Sequence, residues 1–306
     1  MARFHAGAWR LPPAEARGHK ASMSPDGPPS DFNALAAACA PFVDEHLAMV
    51  LAASDPIPNL HDGALYSLGL DSDAAARGKR IRPVLCLVVA QALGADVRRA
   101  LPFASAIELM HNFALVHDDI QDGDEVRRNR PSVHVRHGMP HGINIGDHLL
   151  CKVWTTLLDE REDLEPGLRL ELMRLMARTL EHTIAGQALD MNARARRDFR
   201  VLDYMRLVRE KTGHYLAAPM LGGAMVAGAP QGVLDALEHF GHAMGPLFQI
   251  IDDLLDLTPG KGRGGLVGTD GRVGKRSFLV AVAGEQATTA DRVRLLDLRV
   301  LPRALP

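Results

Sequence analysis

The sequence predicts an all-α domain, and three observations lead to that fold class. From about residue 31 onward Ala, Leu, Val and Met dominate, whereas aromatic residues make up only 5% of the 306-residue chain. Apolar residues recur at three- and four-residue spacing in segments 32–54 and 168–191, which is typical of helices with one buried face. No alternating run flanked by hairpin signals predicts a strand. We therefore expect long helices from about residue 31 to the C-terminus.

The helices are predicted to begin after a proline-rich leader. Residues 1–30 combine prolines with scattered Arg, Gly and Ser, a composition typical of a disordered N-terminal extension. Met23 is a second candidate start within it. One domain is then expected to cover residues 31–306. Helix-interrupting residues divide it at Gly78, Pro83, Gly94, Pro102, Gly138, Pro140, Pro166 and Pro230.

The overall charge gives no sign of a polyanionic partner. Lys and Arg total 35 against 37 for Asp and Glu, so the formal net charge is −2. We expect no nucleic acid partner and no binding to an anionic membrane surface. Cys39, Cys86 and Cys151 form no CxxC pair, which favours reduced thiols in a cytoplasmic protein. The N-terminus lacks a signal-like apolar run, and we expect no membrane span.

A carboxylate-rich stretch ends the apolar segment 107–122. On a helix, Asp118 and Asp122 lie one turn apart and about 40° around the axis, with Asp119 about 60° from Asp122. Three carboxylates on one face repel each other strongly in an apolar setting. Mg²⁺ prefers oxygen ligands and relieves that repulsion. A single motif of this kind is nevertheless more simply explained as a solvated helix end.

The same spacing returns in the segment FQIIDDLLD, residues 248–256. Asp252, Asp253 and Asp256 again follow an apolar helical run. Two such DDxxD clusters on separate helices can face each other across a cavity and hold several Mg²⁺ ions around one diphosphate. The repetition makes a metal site a much stronger interpretation than an acidic surface.

Basic residues accompany both clusters. They occur in the segment RGKRIRP (77–83), as Arg127 and Arg128 after the first cluster, and as Lys211 before an apolar helix rich in small residues. Arg and Lys bind phosphate oxygens through charge-assisted hydrogen bonds. A site with metal-binding carboxylates and a separate basic pocket can hold two anionic substrates.

Together these motifs resemble the trans-isoprenyl diphosphate synthases, the polyprenyl synthetase family that includes geranylgeranyl and farnesyl diphosphate synthases. The similar segment runs from about Gly78 to Lys275. Its motifs appear in the family's order: GKRIRP, ELMHNFALVHDDIQDGDEVRRNRPSVH, GQALDM, KTG, FQIIDDLLD and GTDGRVGK. The resemblance implies an isoprenoid-synthase helical bundle around a deep central cavity, usually as a homodimer. It also implies condensation of isopentenyl diphosphate with dimethylallyl, geranyl or farnesyl diphosphate.

The resemblance further implies roles for individual residues. Asp118, Asp122 and Asp252 would bind Mg²⁺, three ions in all, with support from Asp119, Asp253 and Asp256. The allylic diphosphate would be held by Arg127, Lys211 and Lys275. Isopentenyl diphosphate would be held by Lys79, Arg82, His111 and Arg128. Thr212 and Gln249 would turn their oxygens toward the developing allylic cation.

Product length is predicted from the two residues that precede the first cluster by one helical turn. In the family, bulk at these positions forms the cavity floor. An aromatic residue followed by a small one, as in Phe113 and Ala114, resembles the geranylgeranyl-forming pattern, with farnesyl diphosphate as the second choice. Helical phase places Ala114 about 40° from Asp118 but Phe113 about 140° away. The prediction for Phe113 therefore rests on the resemblance.

Two features depart from the family pattern. The Gly-Lys pair that normally precedes the GTD segment reads Gly265-Leu266 here, and Lys261 and Arg263 are the candidate replacements. Only residues 257–306 follow the second cluster, whereas family members continue with further helices. The sequence therefore favours a truncated or frame-altered member, shortened at its C-terminus.

Three alternatives stay open from sequence. A class I terpene cyclase shares the first cluster, but its second metal site mixes Asn, Ser or Thr and Glu, unlike DDLLD. A non-catalytic subunit that regulates an active synthase is expected to lack metal ligands, and none is lost here. His134, His137 and His141 form a third candidate, a zinc cluster. Cavity or surface histidines are favoured instead, because no Cys or carboxylate partner has suitable spacing.

Overall fold

The computed structural model describes residues 32–71, 74–159, 163–259, 267–272 and 274–296. The predicted N-terminal extension with Met23 lies outside the described residues, as do Lys261, Arg263 and the Gly265-Leu266 pair. The residues from 297 onward also lie outside them.

Helices account for nearly all regular structure in these ranges, so the all-α prediction is confirmed. They are α1 (Phe32–Leu51), α2 (His61–Leu68), α3 (Ile81–Ala92), α4 (Val97–Asp122), α5 (Val133–His137), α6 (Met139–Leu158), α7 (Pro166–Ala193), α8 (Val201–Val208), α9 (His214–Val226), α10 (Gln231–Asp256), α11 (Thr269–Arg272), α12 (Phe278–Gln286) and α13 (Thr289–Leu296). A short 3₁₀ helix, Ala74–Arg77, precedes α3.

The central element of the bundle is α4. Phe103, Ile107 and Met110 are fully buried along it, and it packs against α3, α6 and α9. Contact with three helices removes most of its surface from water, which is the main source of stability for such a bundle. The carboxylates of its last turn are thereby brought to one end of the bundle, where the chain reverses at Gly123 with φ 68°.

A second wall is formed by α7, α9 and α10. Between α8 and α9 the helix continues through a π-helical turn, Arg209–Gly213. This turn packs against both α7 and α10. A π-helical turn is wider than an α-helical one and changes the direction of its side chains. Such turns are common at functional sites.

Among the described residues, one stretch of α1, Ala34–Leu51, is long and apolar enough to cross a membrane. Val43 and Leu47 within it are fully buried against the other helices. One side of α1 therefore belongs to the core of the bundle, and 28% of the stretch is buried.

A small β-hairpin was not predicted. Val126–Arg127 (β1) pairs in antiparallel fashion with Arg130–Pro131 (β2). Arg128 and Asn129 between them have φ values of 52° and 61°, as in the two-residue turns with positive φ that suit hairpins. Strands of two residues are too short to produce an alternating pattern, so no pattern in the chain predicted them.

Candidate active site

The aspartates of the first carboxylate cluster differ in their hydrogen-bond partners. Asp119 is buried and accepts hydrogen bonds from Arg127, one of them from Nε at 2.9 Å. Arg127 reaches it because the β-hairpin folds back over the last turn of α4. A second ion pair joins Arg127 to Asp124 at 3.5 Å. Arg127 is therefore bonded to carboxylates of its own segment, and Asp119 holds the hairpin in place.

Asp118 and Asp122 lie on a different side of that turn. Burial raises the pKa of Asp118, the positive charge of Lys211 opposes that rise, and the negative charge of Asp122 adds to it. Asp122 itself accepts a hydrogen bond from Arg194 of the segment after α7 at 2.6 Å. The raised pKa of Asp118 marks a carboxylate whose negative charge the surrounding protein does not fully balance.

The aspartates of the second carboxylate cluster, at the end of α10, also differ in their partners and in their exposure. Buried Asp253 accepts hydrogen bonds from the Tyr204 hydroxyl at 2.8 Å and from the Phe278 amide at 2.7 Å. Asp256 accepts one from the Asp270 amide at 3.1 Å and others from Thr269. Asp252, by contrast, is exposed. Asp253 and Asp256 thus tie the end of α10 to the segments that follow it.

Two lysines near the clusters are held by aspartates that belong to neither cluster. Lys211 donates to Asp190 of α7 at 2.9 Å, and Lys275 donates to Asp270 at 3.0 Å. Burial alone would raise the pKa of Asp190, but the charges of Lys211 and Lys275 lower it below its usual value. Lys211 also acts on Asp118. It lines one cavity together with Asp190, Gln249, Asp253 and Lys275.

Thr212 and Gln249 lie on either side of this region. Thr212 is buried in the π-helical turn directly after Lys211. Gln249 donates its side-chain amide to Asp253 at 3.1 Å, which fixes its nitrogen toward Asp253 and leaves its amide oxygen on the other side.

A basic pocket is formed by three of the residues predicted to bind isopentenyl diphosphate. Arg82 of α3 lies 3.4 Å from His111 Nε2 and 4.3 Å from the centre of the Tyr215 ring. Burial first, and then the charges of Arg82 and Arg128, hold the pKa of His111 well below its usual value. The pocket therefore carries two guanidinium groups and a neutral imidazole, which suits a phosphate.

Not every residue of the RGKRIRP segment faces this pocket. Arg80 is buried and bonds to Asp44 at 2.9 Å and to Glu108 at 2.8 Å, so its role is structural. Lys79 is exposed beside it. Arg128 also donates to the Ala76 carbonyl at 3.1 Å, which links the hairpin to the segment before α3.

The two predicted floor residues lie one turn before the first cluster. The Phe113 side chain is buried, and its ring meets that of His117 edge-on with centroids 4.7 Å apart. Ala114 is half-buried and packs against the main core. These contacts place Phe113 in the bundle interior, as the 140° phase difference from Asp118 leads one to expect.

The structure adds site residues that sequence reasoning did not select. Asp190 holds Lys211, and Arg194 holds Asp122. Arg276 is buried and donates to the backbone carbonyls of Ala193, Arg194 and Arg196. Asp190 belongs to the segment GQALDM, which the sequence analysis had noted as a motif. Its partner Lys211 is 21 positions away in the chain, so spacing could not connect the two.

The histidines suggested as a zinc cluster have other partners. His134 lies 3.2 Å from the Ser132 hydroxyl, and His137 lies 3.3 Å from the Asn59 amide oxygen. Within the part of the chain that the structure describes, the His, Cys, Asp and Glu side chains close enough to share an ion are instead His182, Glu210 and His214.

The donor set of the main site fits Mg²⁺. Asp118, Asp122 and Asp252 offer hard carboxylate oxygens, and Mg²⁺ is typically held by one or two carboxylates together with substrate phosphates. The raised pKa of Asp118 is the specific observation in favour, because a bound cation would balance that charge. Asp119, Asp253 and Asp256 accept hydrogen bonds from the hairpin, from Tyr204 and from the segments after α10.

Comparisons with known proteins agree with the motif pattern. Residues 69–299 match the family model described as polyprenyl synthetase. The chain is 38% identical over 217 residues to the geranylgeranyl diphosphate synthase of Methanosarcina mazei, a match covering 71% of this chain and 66% of that protein. It is 38% identical over 206 residues to the (2E,6E)-farnesyl diphosphate synthase of Mycobacterium tuberculosis, covering 65% and 56%. The matched segment is therefore less than two thirds of either relative's length.

A solved structure supports the fold. The geranylgeranyl pyrophosphate synthetase from Pyrococcus horikoshii superposes with a TM-score of 0.78 at 33% identity, covering 86% of this chain and 79% of that one. The predicted isoprenoid-synthase bundle is confirmed by this likeness.

Proposed function

Because this chain belongs to the polyprenyl synthetase family, we propose that it is a prenyltransferase that condenses isopentenyl diphosphate with an allylic diphosphate in the presence of Mg²⁺. The products are an isoprenyl diphosphate longer by five carbons and free diphosphate. The observation that carries the proposal is the position of Lys211, whose charge acts on Asp118 of the first cluster and which lines a cavity with Asp253 of the second.

Asp118, Asp122 and Asp252 are the residues that hold the metal, and Mg²⁺ bound there neutralises charge on the diphosphate group. Asp119, Asp253 and Asp256 position these three by fixing the hairpin, Tyr204 and the segment after α10. Asp252 is exposed and Asp253 is buried, which supports a metal-binding role for the first and a positioning role for the second.

Lys211 and Lys275 act on the leaving diphosphate. Charge accumulates on its oxygens as the allylic C–O bond breaks, and fixed ammonium groups nearby stabilise that charge. Asp190 holds Lys211 at 2.9 Å, so the ammonium group is in place before the substrate arrives. Arg127 is bonded to Asp119, and we propose that it contributes from that position.

The basic pocket holds isopentenyl diphosphate. Arg82, Arg128 and Lys79 supply positive charge, and His111 supplies a ring nitrogen. With both substrates fixed, the double bond of isopentenyl diphosphate attacks the allylic carbon, and an effectively unimolecular reaction results. A proton then leaves the new carbon skeleton, and the departed diphosphate is the base available to accept it.

The carbocation must be shielded from water until the new bond forms. Thr212 and Gln249 face it with oxygens that stabilise positive charge, and the apolar core around α4 encloses the growing chain. Phe113 and Ala114 set the floor, and the main product is geranylgeranyl diphosphate. We also propose a homodimer, as the family resemblance implies, and a cytoplasmic location, because Cys39, Cys86 and Cys151 form no CxxC pair.

The experiment is incubation of the purified chain with Mg²⁺, isopentenyl diphosphate and each of dimethylallyl, geranyl and farnesyl diphosphate. Product length is read by chromatography after dephosphorylation. A C20 product with release of diphosphate is expected. Turnover of the allylic substrate without isopentenyl diphosphate would instead indicate cyclisation, and no turnover with any primer would reject the proposal.

A matched pair of variants tests the two substrate pockets. Arg82→Ala is expected mainly to raise the KM for isopentenyl diphosphate, because the lost contact weakens binding in the ground and transition states alike. Lys211→Ala is expected mainly to lower kcat through slower ionisation of the allylic substrate. Equal defects toward both substrates in both variants would contradict separate pockets.

A further inference from the structure

Two histidines and a glutamate form a cluster beside the π-helical turn that carries Lys211, and this cluster opens to a different cavity. His182 Nδ1 is 2.6 Å from Glu210 Oε2. The rings of His182 and His214 stack with their centroids 3.7 Å apart and 8° between their planes. Candidate ligand atoms of His182, Glu210 and His214 all lie within 4.8 Å of one another.

The cluster is accessible and its surroundings favour a cation. It opens to a cavity of about 420 Å³, and His182 and Glu210 keep 39% and 27% of their side-chain surface exposed. The charged side chains that line this cavity are three acids and one base: Glu171, Asp235, Glu238 and Arg178. None of the aspartates of the two DDxxD clusters lines it.

We infer that His182, Glu210 and His214 form a binding site for a first-row transition ion, with Zn²⁺ as the best match. Two imidazoles and one carboxylate are a recurrent zinc ligand set, in which water takes the fourth position. His242 Nε2 lies 3.1 Å from His214 Nδ1 and orients that ring, as the hydrogen-bond partners of metal-bound histidines do.

The site is chemically separate from the magnesium site. Mg²⁺ selects carboxylate and phosphate oxygens, whereas imidazole nitrogens select Zn²⁺, Co²⁺, Ni²⁺ or Cu²⁺. A tetrahedral ion with bonds of about 2.1 Å holds its ligand atoms about 3.4 Å apart. His182 and Glu210 must therefore separate by less than about 1 Å, and the stacked rings must tilt toward the ion.

Its position links the ion to the π-helical turn. His182 belongs to α7, Glu210 lies in the turn directly before Lys211, and His214 begins α9. A bound ion joins these three segments, so it is expected to raise the melting temperature of the protein by binding only the folded state.

Cobalt titration of the full chain tests the inference. Metal-free protein at pH 7 is titrated with Co²⁺, which reports tetrahedral nitrogen and oxygen coordination by visible absorption, and Zn²⁺ is then added as competitor. One equivalent of Co²⁺ is expected to bind and to be displaced by Zn²⁺. His182→Asn, His214→Gln and Glu210→Gln are each expected to weaken Co²⁺ binding by at least about tenfold.

Two further variants serve as controls. His239→Ala removes an exposed histidine of α10, and Asp118→Asn alters the predicted magnesium site. Both are expected to bind Co²⁺ as the unaltered protein does. Unchanged binding in Glu210→Gln, which replaces a half-exposed side chain by one of equal size, would overturn the inference. Loss of the Co²⁺ spectrum in Asp118→Asn would also overturn it, by assigning the ion to the carboxylates.

Discussion

Gly186 of α7 and Lys211 of the π-helical turn touch backbone to backbone. A Cβ atom added at position 186 would lie 2.3 Å from the Lys211 amide nitrogen and 2.5 Å from its Cα, far closer than non-bonded atoms approach. With no side chain at Gly186, Lys211 can reach Asp190 one helical turn further along α7. This contact therefore determines where Lys211 lies.

Gly186→Ala is expected to displace the π-helical turn and to lower kcat by about 10²-fold, the effect of misplacing a catalytic group by roughly 1 Å. Gly167→Ala is the matched control, because it lies in the first turn of the same helix with no atom within 4 Å of the added Cβ. Steady-state kinetics of both variants provide the measurement. Normal activity in Gly186→Ala would show that the contact does not position Lys211.

Substitutions of two neighbouring aspartates of the second cluster are expected to affect different properties, turnover in one case and stability in the other. Asp252→Ala should lower turnover by at least about 10²-fold with little change in melting temperature, because Asp252 is exposed. Asp253→Ala should lower the melting temperature, because it leaves the Tyr204 hydroxyl and the Phe278 amide without their acceptor, at about 1–3 kcal/mol for each buried group. Thermal melts and kinetics on the same samples separate the two. Similar melting temperatures for both variants would contradict the structural role of Asp253.

The pH dependence of stability should differ between Asp118 and Asp190 in magnesium-free protein. The folded pKa of Asp118 is raised, so its favourable contribution exists at low pH and is lost as pH rises through that pKa. The folded pKa of Asp190 is lowered, so its contribution exists above the unfolded value of about 3.9 and is lost as pH falls through the folded pKa.

Asp118→Asn should therefore raise the melting temperature at pH 7, and Asp190→Asn should lower it, each on the order of 2–4 °C. The deficit of Asp190→Asn should shrink as pH falls from about 4, where the unfolded chain takes up the proton, toward the lower folded pKa of Asp190. Calorimetric scans from pH 3 to pH 8 provide the measurement. A lower melting temperature for Asp118→Asn at pH 7 would show that its charge is already balanced.

Product length tests the floor of the cavity. Phe113→Ala is expected to shift products to C25 or longer by removing a buried ring, and Ala114→Phe is expected to shorten them. Leu109→Ala, one turn earlier and fully buried, controls for general loosening of the core. An unchanged product distribution in both test variants, or an equal shift in the control, would place the floor elsewhere.

Much of the site was predictable because its motifs are local. The carboxylates of each cluster share a helix, and a period of 3.6 residues places Asp118 near Asp122 whatever surrounds them. The helical class follows from the same period. The β-hairpin could not be predicted in this way, since Arg128 and Asn129 adopt positive φ without the glycine that usually signals such a turn.

The sequence by itself determined the fold class, the two aspartate clusters and the basic residues that accompany them, because periodicity and spacing are properties of neighbouring residues. The tertiary structure decided which protein groups each aspartate meets, since Asp119 and Asp253 find partners only when the hairpin and α12 fold onto the helix ends. It also brought His182 beside His214 from separate helices. Such contacts depend on how distant helices pack, and no local pattern in the chain records that packing.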